Sequence, residues 1–166
     1  MKNITQAGKY LFRYRAAIAA VFFVILIFYA KPVSSIIGHI SIIAGIGIRL
    51  WAAGYIGPEA RKREFYAEHR IRSSPYRMLK HPLYVGNFFL VLGVIALYNP
   101  SQWLGLFYIL LFVVMYSLIT ISEKQYLKEK PEIEASYRFS NLKGEASTLV
   151  VLAVIYAVWI LLFIRD

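Results

Sequence analysis

Five long apolar runs are the feature that most constrains the fold of this chain. A transmembrane helix needs about 20 consecutive apolar residues, with a range of roughly 17–25. Runs of this kind lie at residues 14–30, 33–56, 82–98, 101–121 and 147–164. Hydrophobic residues make up 59% of the chain and charged residues 17%, whereas soluble domains are about 45–50% apolar and about 25% charged. The sequence therefore predicts an all-α, polytopic membrane protein of five transmembrane helices, with residues 1–166 forming a single domain.

The lysine and arginine residues between these runs predict the orientation. The N-terminal arm and two polar segments, residues 57–81 and 122–146, together carry 16 of them, whereas the opposite side carries only Lys31 and Arg165. The positive-inside rule then places the N-terminus and both polar segments in the cytoplasm. We interpret the net charge of +10 as a topology signal and not as a nucleic-acid surface. An active site is expected on this cytoplasmic face of a multi-pass protein.

Short-range signals predict how the spans pack. Asn99-Pro100 is a turn pair, so spans three and four are expected to form a tight hairpin. Span two contains four glycines, which predict close approach to a neighbouring helix. These are Gly38, Gly45, Gly47 and Gly54.

Some chemistry is excluded at once. The chain has no cysteine, so disulfides, cysteine–metal sites and thiol nucleophiles are ruled out. The three histidines, His39, His69 and His81, are widely spaced, and nothing in the sequence suggests a metal site.

The first polar segment is predicted to form an interfacial helix from Pro58 to about Arg72, whose basic residues suit anionic headgroups.

The most informative stretch runs from Ser74 to Asn87 into span three. Pro82 suits the first position of a helix, so His81 is expected at the helix N-terminus, where the dipole favours a neutral imidazole. Taken alone, His-Pro at this position more commonly marks a helix cap than a catalytic site. At about 100° per residue, one helix face forms a polar and aromatic wall and another forms a packing groove. The wall is His81, Tyr84, Val85 and Phe88, and the groove is Gly86 and Gly93.

Arg49 lies inside span two, roughly 10 Å from its predicted cytoplasmic end. An unpaired charge in hydrocarbon costs several kcal/mol, so Arg49 should snorkel, pair with a carboxylate or face a polar cavity. Glu123, just beyond span four, is a natural partner because it is expected on the same face. By composition alone, however, a charged helix that leaves a membrane is usually just solvated.

Three blocks of sequence resemble the membrane methyltransferase superfamily that includes isoprenylcysteine carboxyl methyltransferases and phospholipid N-methyltransferases. The resemblance covers roughly residues 45–140, and its most specific part is His-Pro-x-Tyr-x-Gly at His81 to Gly86. The blocks are Ile48-Arg49-Leu50-Trp51-Ala52, Pro75-Tyr76-Arg77 through Lys80-His81-Pro82-Leu83-Tyr84-Val85-Gly86-Asn87, and Ser122-Glu123 through Tyr137.

This resemblance implies S-adenosylmethionine as cofactor, entering from the cytosol, and a lipid or lipidated acceptor reached from the bilayer. Catalytic roles are then expected for Glu123 and Arg49, with Glu123 also binding the cofactor. The further cofactor contacts are expected at Tyr76, His81, Pro82, Tyr84, Val85, Gly86 and Asn87. An aromatic wall suits a sulfonium cation. No glycine-rich loop follows a strand, which excludes a soluble Rossmann-type methyltransferase.

Two departures from the family pattern keep alternatives open. Ser122 stands where the family usually has the first of two acids, and Ile119 stands where carboxyl-methylating members place an arginine. The missing arginine weakens the case for carboxylate methylation, unless Arg49 or Arg138 substitutes for it. One alternative is a non-catalytic, lipid-binding relative that has lost this acid and this arginine. The other is an NADPH-dependent membrane reductase of the sterol type, which has a similar Tyr-Arg…His-Pro stretch but usually needs more spans.

Overall fold

The computed structural model describes residues 2–57 and 69–165, and helices make up most of this part of the chain. In chain order the elements are α1 (Lys2–Phe28), α2 (Ile36–Ile56), β1 (Arg70–Ile71), α3 (Tyr76–Leu79), α4 (Pro82–Tyr98), α5 (Gln102–Leu127), β2 (Glu132–Ile133), a 3-10 helix (Phe139–Glu145) and α6 (Ala146–Arg165). The predicted all-α class is confirmed.

Four helical stretches of the described residues are long and apolar enough to cross a membrane: Ile4–Phe28, Ile36–Ile56, Gln102–Leu127 and Phe139–Arg165. Helix α4 is also apolar but has only 17 residues. Many large apolar side chains point away from the protein, including Trp103 and Ile164. Such a surface suits lipid, because the helices satisfy their own backbone hydrogen bonds. The chain is therefore a multi-pass integral membrane protein.

Glycines bring α2 and α4 together. A Cβ atom on Gly45 would lie 2.8 Å from the carbonyl oxygen of Gly86, and one on Gly93 would lie 2.8 Å from the carbonyl oxygen of Gly38. Only residues without a side chain permit such an approach. The predicted close approach to a neighbouring helix is thus confirmed for Gly38, Gly45 and the Gly86 and Gly93 groove, whereas Gly54 lies against Tyr137 and Gly47 faces open space.

The most extensive helix packing pairs α2 with α4 and α1 with α5. Asn99 ends α4 in a left-handed conformation with φ 43°, and the Ser101 side chain caps α5 by accepting from the Leu104 amide at 3.4 Å. The contact between α4 and α5 is smaller than either of those two pairs. Their tight hairpin accordingly stays a prediction.

Helix α6, whose role the sequence does not predict, is held at the end of the bundle where α4 finishes. The Trp159 indole N–H donates to the carbonyl of Leu97 at 3.0 Å, and the Tyr98 hydroxyl donates to the carbonyl of Ile155 at 2.7 Å. The Tyr156 hydroxyl lies 3.0 Å from Nδ1 of His39 on α2. These contacts tie α6 to both α2 and α4.

The two polar segments meet at the opposite end of the bundle. Strands β1 and β2 pair in parallel, with Arg70 opposite Glu132, and the Arg72 guanidinium lies 2.8 Å from the Glu132 carboxylate. The predicted helix from Pro58 to Arg72 is wrong at its end, because Arg70–Ile71 is a strand whose backbone pairs with β2. Its residues 58–68 lie outside the described part of the chain.

Candidate active site

His81 stands at the N-terminal end of α4, with Pro82 at the first helical position as predicted. Its carbonyl accepts hydrogen bonds from the amides of Tyr84 at 3.1 Å and Val85 at 3.2 Å. Its side chain makes no capping hydrogen bond. The imidazole instead turns toward α5, where Nδ1 lies 3.1 Å from Oε2 of Glu123. His81 therefore caps α4 through its backbone carbonyl only.

One oxygen of the Glu123 carboxylate lacks a hydrogen-bond partner among the described residues. This atom, Oε2, is buried. The His81 ring lies within ion-pair distance of this oxygen, but the two do not form a hydrogen bond. Buried polar atoms are nearly always paired, since an unpaired one loses its hydration without compensation. This oxygen is thus suited to a cationic or N–H group of a ligand.

Aromatic rings continue from His81 along α4 and across to α5. The Tyr84 ring stacks on the His81 ring with centroids 5.5 Å apart, and the Tyr116 ring meets Tyr84 edge-on at 4.9 Å. Phe112 stacks on Tyr116 at 4.2 Å and contacts Phe88 at 5.6 Å. The helix face predicted to carry His81, Tyr84 and Phe88 therefore lies against an aromatic face of α5.

Arg49 pairs with Glu145, at the end of the 3-10 helix. The Nε atom lies 2.9 Å from Oε2, and one terminal nitrogen lies 2.9 Å from Oε1 and 2.7 Å from Oε2. The Arg49 side chain is 12% exposed and that of Glu145 is 2% exposed. The expected pairing of Arg49 with Glu123 is wrong, because Glu145 reaches the guanidinium with both oxygens. Of the three possibilities for this charge, pairing with a carboxylate is therefore the one found.

The Tyr76 phenol is influenced electrostatically both by Glu123 and by the pair of Arg49 and Glu145. Its hydroxyl donates to the carbonyl of Ala52 on α2 at 3.3 Å. Burial raises the pKa of this phenol, and the negative charge of Glu123 raises it further. Tyr76 is accordingly a neutral hydrogen-bond donor at physiological pH.

The other predicted site residues divide by the helix face they occupy. Asn87 accepts a short hydrogen bond from Arg49 and donates from Nδ2 to the Tyr116 hydroxyl at 2.8 Å. Pro82 is fully buried, Val85 is half-buried, and Gly86 lies against Arg49 and Gly45. The structure thus brings together His81, Tyr84 and Glu123, and separately Arg49 and Asn87, whereas Gly86 faces α2.

The two departures from the family pattern share one face of α5. Ile119 and Ser122 are completely buried, and three residues apart they lie on the same side of the helix. The Ser122 hydroxyl donates to the carbonyl of Leu118 at 2.9 Å, and Gly8 of α1 packs so closely that a Cβ there would collide with Ser122. A longer acidic or basic side chain would not fit while α1 occupies this position.

Two residues of the site were not singled out from the sequence. Tyr116 lies seven residues before Glu123, which is two helical turns and therefore one face, so its position was predictable. Glu145 was an available acid at the start of the last apolar run, but nothing local to the sequence distinguishes it from Glu123 as the partner of Arg49.

A model of the phospholipid methyltransferase family matches residues 33–130. This match spans more than half of the chain and includes Arg49, His81, Tyr84 and Glu123. Comparisons with curated proteins and with solved structures find no match. The resemblance seen in the three sequence blocks is confirmed by the family match. The chain therefore belongs to the phospholipid methyltransferase family.

Proposed function

We propose that this protein is an S-adenosylmethionine-dependent methyltransferase that acts on a membrane-embedded lipid or lipidated acceptor. Membership of the phospholipid methyltransferase family supplies the reaction class. The observation that carries the cofactor assignment is the buried Oε2 of Glu123, which no described residue satisfies by a hydrogen bond. A cofactor with an ammonium group and a sulfonium group offers the positive charge that this carboxylate needs.

The residues present fit such a cofactor. S-adenosylmethionine supplies a methyl group on a positively charged sulfur atom. Glu123 would bind its α-ammonium group by a charge-assisted hydrogen bond, and the N-terminal amides of α4 would bind its carboxylate. The rings of Tyr84 and Tyr116, 4.9 Å apart, offer the electron-rich surface that attracts a sulfonium.

Catalysis is assigned mainly to alignment and to the exclusion of water. Holding two reactants in the reactive geometry can contribute about 7–11 kcal/mol in favourable cases. His81, Tyr84 and Glu123 form one wall of the site, and Tyr76 closes it toward α2 by its hydrogen bond to Ala52. The pairing of β1 with β2 would hold the two polar segments over this wall.

The acceptor group is proposed to be something other than a carboxylate. Ile119 stands where a substrate-orienting arginine would be required, and it is buried in the protein. Arg49 could substitute only by leaving Glu145, whose two oxygens it contacts. An amine or hydroxyl group, which needs no guanidinium to orient it, suits the site better.

The proposed topology has five spans, with the N-terminus and the site on the cytoplasmic side. The 17 residues of α4 are at the lower end of the range that crosses a bilayer, roughly 17–25 residues. The short connection from Asn99 to Ser101 supports a hairpin with α5. The distribution of lysine and arginine supports this orientation.

Calorimetric titration of the detergent-purified protein with S-adenosylhomocysteine tests the cofactor assignment. We expect micromolar binding, and at least tenfold weaker binding to His81→Ala because the imidazole faces both Tyr84 and Glu123. The matched control is His69→Ala, since His69 is exposed. NADPH is titrated in parallel. Binding of NADPH alone would overturn the proposal in favour of a reductase, and binding of neither ligand would favour a non-catalytic lipid-binding role.

A further inference from the structure

Glu145 lies outside the residues matched by the family, yet it contacts the intramembrane arginine within them. Both of its carboxylate oxygens contact Arg49, and its Oε2 also accepts from the Thr148 hydroxyl at 2.9 Å. A buried carboxylate held by a bidentate guanidinium is well compensated, whereas loss of either partner leaves a charge without its counter-charge. The orientation of the guanidinium is therefore set by Glu145.

The orientation of the Arg49 guanidinium determines, through Asn87, the position of Tyr116 beside Tyr84. With Glu145 on one side, Arg49 uses its other terminal nitrogen as a donor to the side-chain oxygen of Asn87. The Asn87 amide must then turn its NH₂ group the opposite way, where it donates to the Tyr116 hydroxyl at 2.8 Å. The Tyr116 ring in turn meets Tyr84 at 4.9 Å. A continuous set of contacts thus connects Glu145, just before α6, with the Tyr84 ring.

Glu145, and not Glu123, is the carboxylate that pairs with Arg49. Arg49, Glu123 and Glu145 all lie close enough to the Tyr76 phenol to influence it electrostatically. Because Arg49 is paired with Glu145, the Glu123 carboxylate is not paired with this guanidinium, and its Oε2 has no hydrogen-bond partner among the described residues. A carboxylate already paired with Arg49 would no longer be available to the ammonium group of a cofactor.

We infer that Glu145 is a positioning residue of the methyl-donor site: it holds Arg49 in a neutral pair, keeps the Glu123 carboxylate available, and orients Tyr116 through Asn87. This inference rests on the proposed function. It assigns to the segment before the last helix a part in cofactor binding, beyond the anchoring of α6.

The test compares two ligands that differ in charge at the methyl-transfer position. S-adenosylhomocysteine is neutral there, whereas sinefungin carries an ammonium group in place of the methylated sulfur. Glu145→Gln keeps the shape of the side chain and leaves Arg49 as an uncompensated cation. We expect about tenfold weaker binding of S-adenosylhomocysteine, and a further several-fold loss for sinefungin because like charges repel across a medium of low dielectric constant. The exposed residue Glu129 provides the control Glu129→Gln.

A second variant separates positioning from folding. Arg49→Leu with Glu145→Leu replaces the ion pair by apolar groups of similar size, a change that usually preserves stability. We expect its melting temperature to be close to that of the wild type. It should bind S-adenosylhomocysteine about tenfold more weakly, because Asn87 and Tyr116 lose their orientation. The ratio of its affinities for S-adenosylhomocysteine and sinefungin should equal that of the wild type. Wild-type affinity for both ligands in both variants would overturn the inference and leave the proposed function intact. Failure of the wild type to bind either ligand would overturn both.

Discussion

Replacement of Glu123 by glutamine is expected to weaken the binding of S-adenosylhomocysteine by roughly 10- to 100-fold while the protein stays folded. A hydrogen bond to a charged group contributes about 1.5–3 kcal/mol, and each 1.4 kcal/mol is about tenfold in affinity. The amide has the size of the carboxylate but lacks its charge. It also removes a buried, unsatisfied oxygen anion, so the ligand-free protein should lose no stability.

The measurement is a calorimetric dissociation constant together with a melting temperature in the same detergent. Glu129→Gln is the matched control, because Glu129 is an exposed acid in the same polar segment. Binding to Glu123→Gln within twofold of the wild type would exclude Glu123 as the ligand of the cofactor ammonium. A large fall in melting temperature would assign Glu123 to folding instead.

Replacement of Gly93 by alanine is expected to destabilise the protein by about 1–3 kcal/mol, the usual cost of overpacking a tight interior. The new methyl group would lie 2.5 Å from Cγ1 of Ile42 and 2.8 Å from the carbonyl oxygen of Gly38. The second contact is with backbone, which cannot move aside as a side chain can. Separation of α2 from α4 would also pull Arg49 from Asn87, so weaker binding of S-adenosylhomocysteine should accompany the loss of stability.

Gly47→Ala is the matched control for this effect, because Gly47 lies in a membrane helix and a Cβ there meets nothing within 4 Å. Its stability should equal or exceed that of the wild type, since alanine is a better helix former than glycine. Stability is followed by thermal unfolding in detergent. Equal melting temperatures for the two variants would contradict the close crossing of α2 and α4.

Features with a local physical cause were predicted well. The bounds of α4 match the apolar run at 82–98 because Pro82 and Asn99 mark its two ends. The packing of Gly86 and Gly93 against α2 followed from helical periodicity, which places residues seven apart on one face.

Features that depend on distant partners were not predicted. Helical periodicity and hydropathy showed that Arg49 needs a carboxylate, but the choice between Glu123 and Glu145 depends on how the 3-10 helix returns to α2. The segment 137–141 is held there by the carbonyl of Gly54, which accepts from the Arg138 amide at 2.9 Å and from the Asn141 side chain at 2.8 Å. The two-residue strands β1 and β2 are too short for a pattern of alternation, so only their pairing reveals them.

The segment from the 3-10 helix through α6 makes contacts that stabilise the fold, although it lies outside the residues matched by the family. The family match ends at residue 130, but the counter-charge of Arg49 and the indole that caps the Leu97 carbonyl come later in the chain. A polypeptide cut at the end of the match would retain Arg49, the block from His81 to Gly86 and Glu123, but it would leave the Arg49 guanidinium without its counter-charge. For this protein, the minimal fragment that folds is thus expected to be longer than the minimal fragment that can be recognised.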